Sequence, residues 1–322
     1  MRIGRRYLGI LAAGAGTAHA QGGFPSRPLT WVVPFTAAGV TDTNSRLISR
    51  KLGQRLGQPI VIENRPGAGG TLGTEYVARA APDGYTILYG TNAAMAAAPT
   101  LFRRLGYDPV RSFVPIQALF ESSNVLVANP NLPYRDLPGL VAYAKAHPAR
   151  INLAHAGVGT STHLTAVLLE SVAGIEMTHI AYQGAAAALT DVMAGNVDVL
   201  FDYVVSSREH IANGRMRALA VTARQRIPAL RDVPTVVEAG FPEIVSSNWS
   251  GLFLPAATPR EVVLKMVNEA QAVMRDPEVL AVAESNGSRA ATELTGEVFG
   301  QFLASEIQRW GDIVRRSGAQ PM

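Results

Sequence analysis

The sequence predicts an α/β protein built from two blocks of alternating strands and helices. Strand-like and helix-like signals take turns along nearly the whole chain, which implies largely parallel sheets covered on both faces. The 322 residues suit two domains better than one. The alternation also falls into two runs, before and after a stretch around residues 121–131.

The N-terminus reads as an export signal. Arg2, Arg5 and Arg6 form a basic start, with no acidic residue among the first twenty positions. Tyr7 to Ala15 is a short apolar stretch, and Ala18-His19-Ala20 supplies the small-x-small pattern that a signal peptidase cuts after. Roughly 10 apolar residues cannot span a bilayer core, which needs about 20. Residues 1–20 are therefore expected to be a cleaved signal peptide and the mature chain to be periplasmic. The Arg5-Arg6 pair before Tyr7-Leu8 also fits a twin-arginine signal, so the export route stays open.

Cleavage changes the charge argument. The whole chain carries 29 Lys+Arg against 25 Asp+Glu, and three of those arginines lie in the signal, leaving 26 against 25. With no long basic run left, the charge pattern argues against a nucleic-acid partner, and none is expected. The chain has no cysteine, which excludes disulfides, zinc-thiolate sites and thiol catalysis.

In order, Leu29 to Val33 reads as a buried strand, followed by the loop Pro34 to Val40. A helix is expected from about Asp42 to Leu56, with Thr41 or Asp42 as its N-cap and Leu47, Ile48, Leu52 and Leu56 on one face. Pro59 to Ile62 gives a strand, Leu72 to Ala80 a helix and Tyr85 to Tyr89 a strand. The second run has strands at Ile151 to Ala154, Thr178 to Ile180, Val197 to Phe201 and Arg217 to Thr222. Helices Ser161 to Val172, Ala185 to Met193 and Ser206 to Asn213 lie between them. The chain is expected to pass between its halves near Glu121 to Asn131 and Phe241 to Trp249. The helices Pro259 to Met274 and Thr295 to Arg315 should pack back on the first half. One discontinuous lobe would then comprise 24–123 and 248–322, and the other 124–247.

Two strand-to-helix loops could carry chemistry, Pro34 to Asp42 and Ala156 to His163. Each would place free N–H groups and the positive end of a helix at a sheet's carboxyl edge, an anion pincer if the two face each other. Both loops also read as ordinary tight turns with hydroxyl caps. Gly67-Ala68-Gly69-Gly70-Thr71-Leu72 fails the dinucleotide fingerprint, because Leu72 stands where its last glycine belongs; a tight connection is expected. Gly159-Thr160-Ser161-Thr162-His163 is not a nucleophile elbow, since His163 replaces the second glycine. A triad of Ser161 with His163 or His179 and Asp198 or Asp202 can be drawn, but trios of this kind arise by chance in a long chain. His147, His155, His163, His179 and His210 make no H-E-x-x-H pattern, so no metal site is expected. His179 reads as a core histidine.

Ordered blocks along the chain carry a resemblance. They include Val33-Pro34-Phe35 with Gly39 and Thr41-Asp42, Val61 to Gly70, Ala78 to Thr86, and His179-Ile180-Ala181-Tyr182-Gln183-Gly184. Gly195 to Asp198, Phe201-Asp202, Ala218 to Thr222 and Asp232 to Gly240 follow. In these blocks the sequence resembles the substrate-binding proteins of tripartite tricarboxylate transporters, the Bug proteins. The resemblance implies a two-lobed periplasmic-binding-protein fold of the second type. It implies no enzyme activity and no cofactor, a small carboxylate solute, membrane transporter subunits as partners, and a monomer. The carboxylate would be held by Phe35, Thr36, Ala37, Ala38 and Gly39 and by Gly159, Thr160 and Ser161, with Asn92, Tyr182, Gln183 and Asp202 completing the site. Ala38 stands where glycine is common but keeps its N–H, Gln183 stands where lysine is frequent, and Ala185-Ala186 where glycine often occurs. A periplasmic sensor subunit and a hydrolase on a two-lobed scaffold are the alternatives.

Overall fold

A computed structural model describes residues 23–182 and 184–316. The expected signal peptide and Gln183 lie outside the described residues. The first strand, β1 (Leu29–Val33), is almost wholly buried, as its unbroken apolar run requires. It pairs parallel with β2 (Ile60–Asn64) on one side and β3 (Thr86–Thr91) on the other. Between them, α1 (Val40–Leu56) buries Ile48, Leu52 and Leu56 against Leu29 and Trp31, with Leu47 packed at the edge. Each fully buried side chain of this kind is worth about 1.5–3 kcal/mol, enough to fix which face of the helix meets the sheet. The glycine-rich stretch forms a 3₁₀ turn over Ala68–Gly70 that leads into α2 (Thr71–Ala78). A π-turn at Ala93–Ala97 follows β3 and runs into α3 (Ala98–Leu101).

The strand β4 (Phe113–Ala128) has 16 residues, about 53 Å at the usual strand rise. Its partners change part-way along. Up to Ser123 it pairs with β9 (Ser247–Pro255); from Asn124 it pairs with β7 (Val199–Tyr203) and β8 (Arg217–Val221). The second half-sheet is completed by β5 (Asn152–His155), parallel to β7 and to β6 (Thr178–Ala181). Helices α4 (Leu137–Ala146), α5 (Ser161–Ala173), α6 (Ala185–Ala194) and α7 (Val204–Ala212) belong to this stretch of chain. The described residues end with α8 (Arg260–Met274), α9 (Pro277–Ser285), β10 (Ser288–Ala290) and α10 (Gly296–Arg316).

The α/β class holds, but the sheets are mixed rather than parallel. β9 runs antiparallel to both β3 and β4, and β4 antiparallel to β7, β8 and β10. Strands that carry the chain out of one half and back must run in opposite directions, which the helix–strand alternation could not show. β7 also extends two residues beyond the expected Phe201, because Asp202 and Tyr203 continue the ladder with Val125 and Asn124.

The last helix ties both halves together. Phe299 and Trp310 share a cluster with Val32, Leu88 and Phe253 of the first half and with Leu164 and Leu168 of α5. Trp249 and Trp310 are fully buried, and both indole N–H groups donate to Glu306 Oε2 at 3.0 Å. Arg309 Nη2 donates to the Val245 carbonyl on the chain leading into β9.

Candidate functional site

The first candidate loop is organised by a carboxylate. The N-cap of α1 is Gly39, with the helix beginning at Val40, rather than Thr41 or Asp42 as the sequence suggested. Asp42 is 3% exposed and accepts four hydrogen bonds. Oδ2 takes the Ala38 N–H (3.0 Å) and Arg46 Nε (2.9 Å), while Oδ1 takes Asn64 Nδ2 (3.0 Å) and Arg46 Nη2 (3.1 Å). Arg46 is the main cause holding the Asp42 carboxyl below its usual range; burial opposes it, and Ala38 and Asn64 assist. The Ala38 N–H is therefore used inside the loop and is not a donor for a solute. Ala38 also sits at φ +66°, a left-handed conformation that costs a non-glycine residue roughly 1 kcal/mol or more. Thr36, Ala37, Ala38 and Gly39 are exposed, and Phe35 is half-buried with its ring beside Gly70.

What remains available from α1 is its first turn. The N–H groups of Val40, Thr41 and Asp42 have no acceptor one turn earlier in the helix. Val40, Thr41 and Asn44 form one wall of a narrow cavity of about 80 Å³. The other walls come from Tyr89 and Thr91 of β3, Tyr203 at the β7–α7 junction, and Asn248 and Ser250 of β9. Among the described residues, no charged side chain lines it. Both half-sheets contribute.

The second loop reaches this cavity through Ser161. Thr160 caps α5 by accepting the His163 N–H, and its hydroxyl donates to the Gly157 carbonyl at 2.7 Å. Ser161, 3% exposed, meets the Tyr203 hydroxyl at 3.0 Å, and Asn248 Nδ2 donates to that same hydroxyl at 3.1 Å. Burial is the main cause pushing the Tyr203 phenol up to about 12, so it stays a neutral hydroxyl. Gly159 has φ +80° and gives its N–H to His163 Nδ1 at 3.3 Å.

The other expected site residues divide. Asn92 directly follows the cavity-lining Thr91, is 1% exposed, and has neither amide atom partnered among the described residues. The Thr91 hydroxyl is likewise buried and unpartnered. Tyr182 is half-buried and donates its hydroxyl to Asp191 at 2.6 Å, facing that helix rather than the cavity. Asp202 is completely buried, with Oδ2 accepting from Ser206 and Ser207 at 2.6 Å each. It thus ties down the first turns of α7 and does not line the cavity. Sequence reasoning missed Tyr203, Asn248 and Asn44, none of which lies in a motif. It also missed that His155, His163 and His179 converge, since their spacing matches no helical or strand period.

A triad is not formed among the described residues. Ser161 pairs with Tyr203, His179 with Glu170, and Asp198 accepts the Asn152 N–H at 2.7 Å. A wider groove of about 960 Å³ opens on the other face of β4, lined by Glu121 and Ser123, whereas Phe120 and Ser122 line the narrow cavity. Its arginines make it a rival anion site. Two of them are already paired, Arg226 with Glu238 and Arg289 with Glu121 and Glu293.

With this geometry in hand, comparison with known proteins decides the family. The model of the tripartite tricarboxylate transporter family receptor matches residues 45–319. The chain belongs to that family. BugT of Bordetella pertussis is 33% identical to the receptor over 316 residues, covering 97% of each chain. A solved R. palustris protein with adipate superposes with a TM-score of 0.84 at 31% identity, covering 93% of the receptor and all of that chain. MatC from Rhodopseudomonas palustris with bound malate gives 0.81 at 36% identity, covering 90% of the receptor and all of MatC. The Bug resemblance is thus confirmed, and with it the periplasmic-binding-protein fold. A further solved relative, BugD, is described as a periplasmic binding protein. Among the described residues, no helix of the receptor is long and apolar enough to cross a membrane.

Proposed function

We propose that this receptor is exported to the periplasm and captures a small dicarboxylate between two lobes. It then hands the solute to membrane subunits of a tripartite transporter without changing it chemically. The observation that carries this reading is the narrow cavity itself. Its walls come from both half-sheets, it holds no charged side chain among the described residues, and the first turn of α1 opens into it. A carboxylate there is met by backbone N–H groups and the positive end of a helix, each charge-assisted bond being worth roughly 1.5–3 kcal/mol. A full cation is not required. The Thr91 hydroxyl on the cavity wall, unpartnered among the described residues, supplies a further donor, and Ser161 joins through Tyr203. The ligands named for the two solved relatives, adipate and malate, are both dicarboxylates. The lobes correspond to 24–123 with 248–322 and to 124–247, the change of β4 partners after Ser123 supporting that division.

Isothermal titration of the mature chain with malate and adipate tests the reading. Saturable binding of one molecule per chain is expected for at least one of them, and none for the matching uncharged diamide. Equal binding of acid and diamide would remove the carboxylate from the account. Recovery of the bound acid in altered form would show an enzyme instead.

A further inference from the structure

Three imidazoles lie against one another beside the loop at residues 156–160. His155 ends β5, His163 sits in the first turn of α5, and His179 lies on β6. Their ring centroids are 4.5 Å apart for His155 and His163, 5.5 Å for His163 and His179, and 5.7 Å for His155 and His179. One nitrogen from each ring lies within 4.8 Å of the other two. We propose that His155, His163 and His179 bind one divalent transition-metal ion, with Glu170 as the carboxylate that orients His179.

The tautomer of His179 is the first support. Its Nε2 lies 2.7 Å from Glu170 Oε2, and an ionised carboxylate only accepts, so the proton belongs on Nε2. In the neutral ring the lone pair is on Nδ1, which is buried with no partner among the described residues. A histidine whose far N–H is held by a carboxylate is the arrangement that metal-ligating imidazoles adopt. Glu170 also accepts the Met177 N–H through Oε1 at 2.6 Å, which fixes the carboxylate in place.

The other two rings already present acceptor nitrogens. His155 Nδ1 and His163 Nδ1 accept the Gly157 and Gly159 N–H groups at 3.3 Å each. Contacts of that length are at the weak end of hydrogen bonding, and histidine χ2 is a soft torsion, so turning the rings exchanges them for a metal bond. Zinc bonds of about 2.0–2.1 Å place nitrogen ligands about 3.3 Å apart, so the three rings must also draw closer.

An all-imidazole set selects zinc, copper or nickel over magnesium or calcium, which want oxygen. Three protein ligands leave a fourth position for water or an anion. The His179 and Glu170 side chains are 26% and 17% exposed, so an ion can enter from that side.

Zinc chloride titrated calorimetrically into untagged, chelator-stripped protein at neutral pH should bind at one ion per chain. His163→Ala and His179→Ala should each weaken it by at least about 100-fold, and Glu170→Gln by about 10–100-fold. Circular dichroism verifies folding; if His163→Ala fails to fold, the more exposed His179 supplies the same test. Zinc binding only in the millimolar range, or binding that survives His179→Ala, overturns the proposal.

Discussion

Asp42→Ala is expected to lower unfolding stability by about 2–4 kcal/mol and to weaken solute binding at least tenfold. The substitution strips the acceptor from the Ala38 N–H, from Asn64 Nδ2 and from the Arg46 guanidinium together. Bonds to a charged acceptor are worth roughly 1.5–3 kcal/mol each, and part is recovered by water at the exposed Arg46. Solute binding falls because the same carboxylate sets the direction in which the first turn of α1 enters the cavity. Asp42→Asn should fall between, since its NH₂ must face one of these donors. The acid side supplies an independent check. The folded-state carboxyl is held low, mainly by Arg46, so its contribution is fully present above the unfolded value, about 3.9, and fades as pH drops through the folded value. The stability gap between native protein and Asp42→Ala should be flat above about pH 5 and close below about pH 4. Urea titrations across that range measure it, and a gap under about 0.5 kcal/mol at neutral pH would contradict the assigned role.

Glu306→Ala should be comparably damaging for a different reason. It leaves two fully buried indole N–H groups, on Trp249 and Trp310, without their acceptor. Each stranded donor costs about 1–3 kcal/mol, giving about 4 kcal/mol in all. Both indoles use the same oxygen, Oε2, while Oε1 faces the half-exposed Arg309 at 3.3 Å. A glutamine can keep its carbonyl towards the indoles and turn its NH₂ outward. Glu306→Gln should therefore recover most of the loss, leaving about 1 kcal/mol or less. Thermal melts of the two variants separate the need for an acceptor from the need for charge. Equal damage would show that the charge matters.

Much of the fold was legible because it is written in local periodicity. The apolar run Leu29 to Val33 became β1, and the face carrying Ile48, Leu52 and Leu56 became the buried side of α1. The direction of β4 and β9 was not legible, since a strand's sequence says nothing about whether its partner runs with or against it. α4 went unread, although Asp136 caps it by accepting the Gly139 N–H and Pro138 sits in its first turn. The site was legible only to the level of loops. Strand-then-helix patterns marked the first turns of α1 and α5, and Ser161 does reach the cavity wall. Which N–H groups stay free depends on where Asp42 points. Asp202 and Tyr182 are likewise engaged by Ser206, Ser207 and Asp191, partners chosen by three-dimensional packing. The histidine cluster joins a strand end, a helix start and a neighbouring strand, a convergence that sequence spacing does not encode.

The most direct test of the central claim is a crystal structure of the mature protein grown with malate. The account predicts one carboxylate in the narrow cavity between the half-sheets. Its oxygens should lie at about 2.7–3.0 Å from first-turn N–H groups of α1, among Val40 and Thr41, and on the side of the Ser161–Tyr203–Asn248 chain. Malate held instead by Arg224 or Arg289 in the wide groove on the other face of β4 would contradict it.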